Sequence, residues 1–192
     1  MVYLVLGLLL FLGTHSLRLG DGSQRDALFL RWGEAKFKTI YALLSGVGLA
    51  LVFYGYNLAR EAPVVLWVPP AGVRHGVFLL MLVSMVFLVA TYVPGNAIRA
   101  RLHHPMVLSV KVWALAHLLA NGTVAQVVLF GGFLVWSVLI FRASRRRDKA
   151  LAVQYPAGRT GPTVLTIGLG IVLWAVLIGW LHGVLIGVRL IG

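Results

Sequence analysis

Of 192 residues, 60% are apolar or aromatic and 11% are charged, against roughly 25% charged in ordinary soluble domains. That balance excludes a typical water-soluble domain, whose polar surface could not cover so apolar a chain, and it excludes disorder, which needs low hydrophobicity. Seventeen Lys and Arg against five Asp and Glu give a net charge of +12, and the absence of cysteine excludes disulfides, thiol redox chemistry and Cys-ligated zinc or iron–sulfur centres.

Long apolar runs recur along the chain, and a run of about 18 residues with few charges predicts a membrane-spanning helix. The first extends from Met1 to about Leu19, with no charge before Arg18. Lacking a basic leading segment and a small-residue cleavage site, it reads as a retained helix. Ser23 to Arg31 is a candidate short surface helix. The second span covers Phe37 to Leu58, with Lys36 and Lys38 at one end and Arg60 at the other. The segment Ala62-Pro-Val-Val-Leu-Trp-Val-Pro-Pro is apolar but too short to cross, and its prolines break helices. It reads as a lid in the membrane interface, with Trp67 as anchor.

The third span runs from His75 to about Val93, ended by Pro94-Gly95, and the fourth from His104-Pro105 to Asn121-Gly122. The fifth covers about Val124 to Phe141, and the sixth Thr163 to about Gly187. Glycines at Gly179, Gly183 and Gly187, and less regularly Gly46, Gly48, Gly131 and Gly132, read as close helix contacts. The predicted fold is therefore all-α, a single polytopic domain over 1–192 with six transmembrane helices.

The charges orient it. The loops after spans one, three and five carry Arg18, Arg25, Arg31, Lys36, Lys38, Arg99, Arg101, Arg142, Arg145, Arg146, Arg147, Lys149 and Arg159. The other side has Arg60, Arg74 and Arg189, and Lys111 lies within span four. Thirteen against three is a positive-inside pattern that puts those loops in the cytoplasm and both termini outside. Short basic rims of this kind, facing a lipid bilayer, also exclude nucleic acid as the partner.

Ionisable groups inside spans are expensive and are functional by default. His15, flanked by Thr14 and Ser16, follows an uninterrupted apolar stretch, and His117 lies deep in span four. Trp113, His117 and Asn121 follow at spacings of four and share one helix face. The two histidines read either as polar contacts between helices or as ligands. With no cysteine, a histidine pair is the natural axial set for a haem. At ~1.5 Å per residue, His15 lies ~10 Å and His117 ~18 Å from the cytoplasmic edge, an offset of roughly 8 Å that helix tilt partly absorbs. His103 and His104 sit at the interface, His75 opens span three, and His182 ranks third as a ligand. Lys111 either snorkels or partners a buried anion such as a haem propionate, as Arg18 does from span one. There is no G-x-S-x-G, HExxH or Walker motif and no intramembrane carboxylate pair, which argues against the common hydrolases and a carboxylate proton relay. The lack of a convincing inverted repeat argues weakly against a channel or carrier, which stays as a third reading.

Three segments resemble the NnrU family: Leu10-Phe-Leu-Gly-Thr-His15-Ser-Leu-Arg18, Tyr41-Ala-Leu-Leu-Ser-Gly-Val-Gly-Leu-Ala, and His104-Pro-Met-Val-Leu-Ser-Val-Lys-Val-Trp-Ala-Leu-Ala-His117-Leu-Leu-Ala-Asn-Gly122. The resemblance covers essentially the whole chain, and the last segment is the most specific. It implies a bacterial cytoplasmic-membrane protein associated with denitrification and nitric-oxide metabolism. The family is also similar to the plant 15-cis-zeta-carotene isomerase, a membrane b-type haem enzyme that isomerises a polyene in a redox-dependent way. The matched ligand positions are His15 and His117. The histidine near the end of that enzyme's second span is not matched, since Asn57 stands in that neighbourhood. The resemblance thus implies haem b at His15 and His117, with nitric oxide or a polyene as the small-molecule partner. The reading from another class is a non-enzymatic membrane accessory or assembly factor.

Overall fold

A computed structural model describes residues 1–17, 19 and 22–191. Its elements are α1 (Val2–His15), α2 (Ser23–Trp32), α3 (Glu34–Glu61), α4 (Val73–Tyr92), α5 (Ala97–Leu102), α6 (Pro105–Ala120), α7 (Val124–Ala150), α8 (Thr160–Val176), a π-helical turn (Leu177–Leu181) and α9 (His182–Ile186). Among the described residues there is no strand, only two isolated β-bridges. The all-α expectation holds. Four helical segments are long and apolar enough to cross a membrane: Glu34–Glu61, Val73–Tyr92, Val124–Ala150 and Thr160–Ile186. Val2–His15 and Pro105–Ala120 are shorter apolar helices of 14 and 16 residues. At 1.5 Å per residue they reach only about 21 and 24 Å, less than the ~30 Å hydrocarbon thickness.

The helices form two compact units, each built from two stretches of chain. The first comprises Met1–Ala71 and His117–Val153, and its strongest packing is α1 on α3. Gly7, Gly48 and Gly55 make that seam. A Cβ at Gly7 would lie 2.5 Å from the Val52 nitrogen, one at Gly48 2.7 Å from the Phe11 nitrogen, and one at Gly55 would fall on the Leu4 backbone. Leu4 is consequently fully buried. α7 opens on a capping box, Thr123 with Gln126, which satisfies orphan amides at its start. The proline-rich connector 62–70 is irregular and is tied to the turn before α7 by Leu66 N–H to Gly122 O (2.7 Å) and Val124 N–H to Val64 O (2.9 Å). The expected surface helix after α1 is present as α2, somewhat longer than read.

The second unit comprises Gly72–Ala116 and Gln154–Gly192. Here Ser84 and Ser109 bond reciprocally between α4 and α6, each hydroxyl donating to the other's carbonyl at 2.9 and 2.8 Å. Trp174 Nε1 donates to Phe78 O (3.0 Å), joining α8 to α4. Asn96 is 1% exposed and caps α5: its Oδ1 accepts from Arg99 N at 2.7 Å while Nδ2 donates to Ala90 O at 2.9 Å.

Two differences from the sequence reading have physical causes. α7 continues past Phe141 through the basic run to Ala150, because Arg, Lys and Ala are good helix formers and no glycine or proline stops them. The last span is interrupted by the π turn at Leu177–Leu181. Of the glycines there, a Cβ at Gly179 meets nothing within 4 Å beyond its own helix and chain neighbours, one at Gly183 meets the Arg189 side chain at 3.4 Å, and Gly187 is a left-handed C-cap with φ 75°.

Candidate functional site

His15 ends α1 in the first unit. Its flanking hydroxyls are consumed locally, Thr14 donating to Leu10 O and Ser16 to Leu12 O, both at 2.6 Å. The imidazole does the same with one nitrogen: Nδ1–H donates to Phe11 O at 2.8 Å. That bond fixes the tautomer whose Nε2 carries the lone pair, the arrangement a ligating histidine adopts. Three helices enclose the ring. Phe11 lies 4.3 Å away within α1, Tyr41 of α3 at 5.2 Å, and Trp136 of α7 stands edge-on at 6.3 Å. Phe11 also meets Phe133, one turn before Trp136 on α7.

Two buried polar atoms in these helices have no hydrogen-bond partner among the described residues: the Trp136 indole N–H and the hydroxyl of Ser45, one turn beyond Tyr41. Such orphans are rare in folded proteins and point to a further acceptor or a functional role. A cavity of about 350 Å³ opens against His15, lined by Thr14, Leu17, Arg25, Phe37, Lys38 and Tyr41.

His117 belongs to the same unit. Its half-buried ring stacks on Phe130 of α7, with centroids 4.6 Å apart. Phe130 and Trp136 are six residues apart, about 9 Å along α7, so the two histidines face α7 at different levels. Asn121 lies just past the end of α6 and is engaged in the turn, donating to His117 O and accepting from Gln126 Nε2, both at 2.7 Å. Trp113 and Lys111 are half-buried on α6. Arg18 lies outside the described residues.

The remaining histidines are placed elsewhere. His75 is exposed, and His182 Nδ1–H donates to Val188 O at 2.8 Å. His103, with φ 71°, stacks on Tyr155 at 3.9 Å, and His104 meets the same ring edge-on. No cluster of three or more His, Asp or Glu gathers among the described residues, so a classical multi-ligand metal site is absent from them. Sequence reasoning did not pick out Tyr41, Trp136 or Phe130. The i,i+4 spacings Phe11–His15 and Phe37–Tyr41 were the available signal, since such pairs share a helix face.

Neither a curated protein nor a solved structure matches the chain. Residues 3–190 match the family described as NnrU protein. Nearly the whole chain lies inside that match, and it belongs to the NnrU family.

Proposed function

We propose that this NnrU-family protein is a six-span b-type haem protein of the bacterial cytoplasmic membrane, acting in nitric-oxide metabolism, in which His15 and His117 would hold the haem. The observation that carries the reading is the His15 environment: Nδ1–H is held by the Phe11 carbonyl, Nε2 is left as a lone-pair donor, and aromatic rings surround it. The orphaned Trp136 N–H and Ser45 hydroxyl are donors a bound acceptor would satisfy. For six spans, the support is four long apolar helices together with two shorter ones, and the distribution of basic residues.

The chain's own residues do the following. Phe11 O orients the His15 imidazole and leaves Nε2 as its ligating nitrogen. Phe130 holds the His117 ring by stacking, and Asn121 pins the helix end that carries it. Phe11, Tyr41 and Trp136 give His15 an aromatic surround, which favours an apolar planar guest. When bound, haem supplies a redox-active iron able to take nitric oxide or to polarise a polyene. Trp113 and Lys111 precede His117 on the same helix, and Arg18 offers a cation for a guest's carboxylates. On the accessory-factor reading the histidines tie helices together: the His15 hydrogen bond runs within α1, while its ring packs against Tyr41 of α3 and Trp136 of α7.

Optical spectroscopy of purified protein tests this. With ample haem during expression, a Soret band that shifts on reduction is expected. His15→Ala and His117→Ala each lose haem or the low-spin spectrum, whereas His75→Ala does not. No Soret band in either redox state overturns the proposal, and normal spectra in both ligand variants overturn the ligand assignment.

A further inference from the structure

The cavity against His15 has a chemistry of its own. Its described lining contributes two cations, Arg25 and Lys38, and no carboxylate, alongside the Thr14 and Tyr41 hydroxyls and the apolar Leu17 and Phe37. Arg25 is held in place from below, its guanidinium 5.7 Å from the Phe29 ring centre and 5.6 Å from that of Phe37. Asp26 takes one of its N–H donors at 3.1 Å, and Lys38 pairs with Glu34 one turn back on α3. Both carboxylates are well exposed and neither lines the cavity, so these are weak, solvent-screened pairs that a bound acid can displace. A guanidinium has five donors in a fork that fits carboxylate or phosphate oxygens, which leaves capacity for a second acid.

Size narrows the ligand. At about 350 Å³ the cavity is near the lower end of small-molecule pockets, roughly 300–1,000 Å³. It seats a head group and the start of a chain, not a whole tetrapyrrole. Lys38 lies near the start of α3, one of the helices long and apolar enough to cross a membrane, so polar head and apolar stem meet the cavity at a water–lipid boundary.

We infer that this cavity binds an acidic head group on an apolar stem, a phosphate diester or a carboxylate, with Arg25 and Lys38 gripping the acid and Leu17 and Phe37 packing the stem. Two sources share that chemistry: an anionic lipid, and a carboxylate arm of a guest bound at His15. Only the second source rests on the haem proposal.

Native mass spectrometry of protein in nonionic detergent, supplied with dioleoyl phosphatidylglycerol or dioleoyl phosphatidylcholine, tests the lipid source. Haem-free protein is expected to retain one phosphatidylglycerol in preference to phosphatidylcholine. The double variant Arg25→Gln/Lys38→Gln loses that preference by about tenfold or more, equivalent to at least about 1.4 kcal/mol. The double variant Arg142→Gln/Lys149→Gln removes the same charge from exposed positions and keeps the preference. Arg25→Lys/Lys38→Arg also keeps most of it, which separates lost charge from lost fold. For the carboxylate source, haem and its dimethyl ester are compared. Tighter retention of the free acid by the wild type, abolished in Arg25→Gln/Lys38→Gln, supports that arm. The inference is overturned if the wild type shows no preference for phosphatidylglycerol and the acid and ester are retained alike.

Discussion

At the residue scale, the informative groups are polar atoms inside an apolar chain. Trp136 presents a buried N–H that nothing among the described residues accepts. A buried unsatisfied donor is destabilising by ~1–3 kcal/mol. Trp136→Phe removes that donor but also leaves a cavity beside the smaller ring, so the two effects offset and stability should change by no more than about 1 kcal/mol. A loss of about 3 kcal/mol or more would show that the donor is already satisfied. Asn96 is the opposite case, fully engaged at both ends of its amide. Asn96→Ala should lower stability by about 2–3 kcal/mol, through loss of an N-cap and a buried bond, while Asn96→Ser keeps the cap and loses roughly half as much. Thermal unfolding in detergent measures both.

At the element scale, the α1–α3 seam depends on hydrogen-sized side chains. Gly55→Ala should cost about 1–3 kcal/mol or more, since a methyl there meets Leu4 backbone, which cannot step aside. Gly46→Ala, on the same helix with open space at its Cβ, should change stability by no more than about 0.5 kcal/mol. Equal losses in the two would sink this account of the seam. The same glycines show what the sequence could and could not say. Six apolar runs, their proline and glycine boundaries and the helical class were legible because hydropathy and breakers act locally. His15 and His117 stood out because an ionisable group in an apolar run is conspicuous. Which glycines meet a neighbour depends on partner helices: Gly46, Gly131 and Gly179 attracted notice and face open space, whereas Gly7 and Gly55 did not and press directly on a neighbouring backbone. The aromatic walls at Tyr41 and Trp136 were hidden for the same reason, each coming from a different helix than His15. The π turn at Leu177–Leu181 has no local composition cue either.

At the scale of the whole molecule, the cysteine count of zero makes orientation directly measurable, because a single introduced cysteine is labelled without background. Ala71→Cys, after the proline-rich connector, should react with an impermeant maleimide in intact spheroplasts. Ala150→Cys, at the end of the basic run, should react only after permeabilisation. The reverse pattern would invert the proposed topology. The interleaving of the two units bears on how the molecule is made. Residues 72–116, which begin the second unit, are synthesised between the two stretches of the first. At about 5–20 residues per second those 45 residues take about 2–9 s. During that interval α1 and α3 can already close their seam, so His15 has its Tyr41 wall but lacks Trp136, and His117 does not yet exist. Any guest at His15 must therefore be loaded late, into a binding place whose last side arrives with α7.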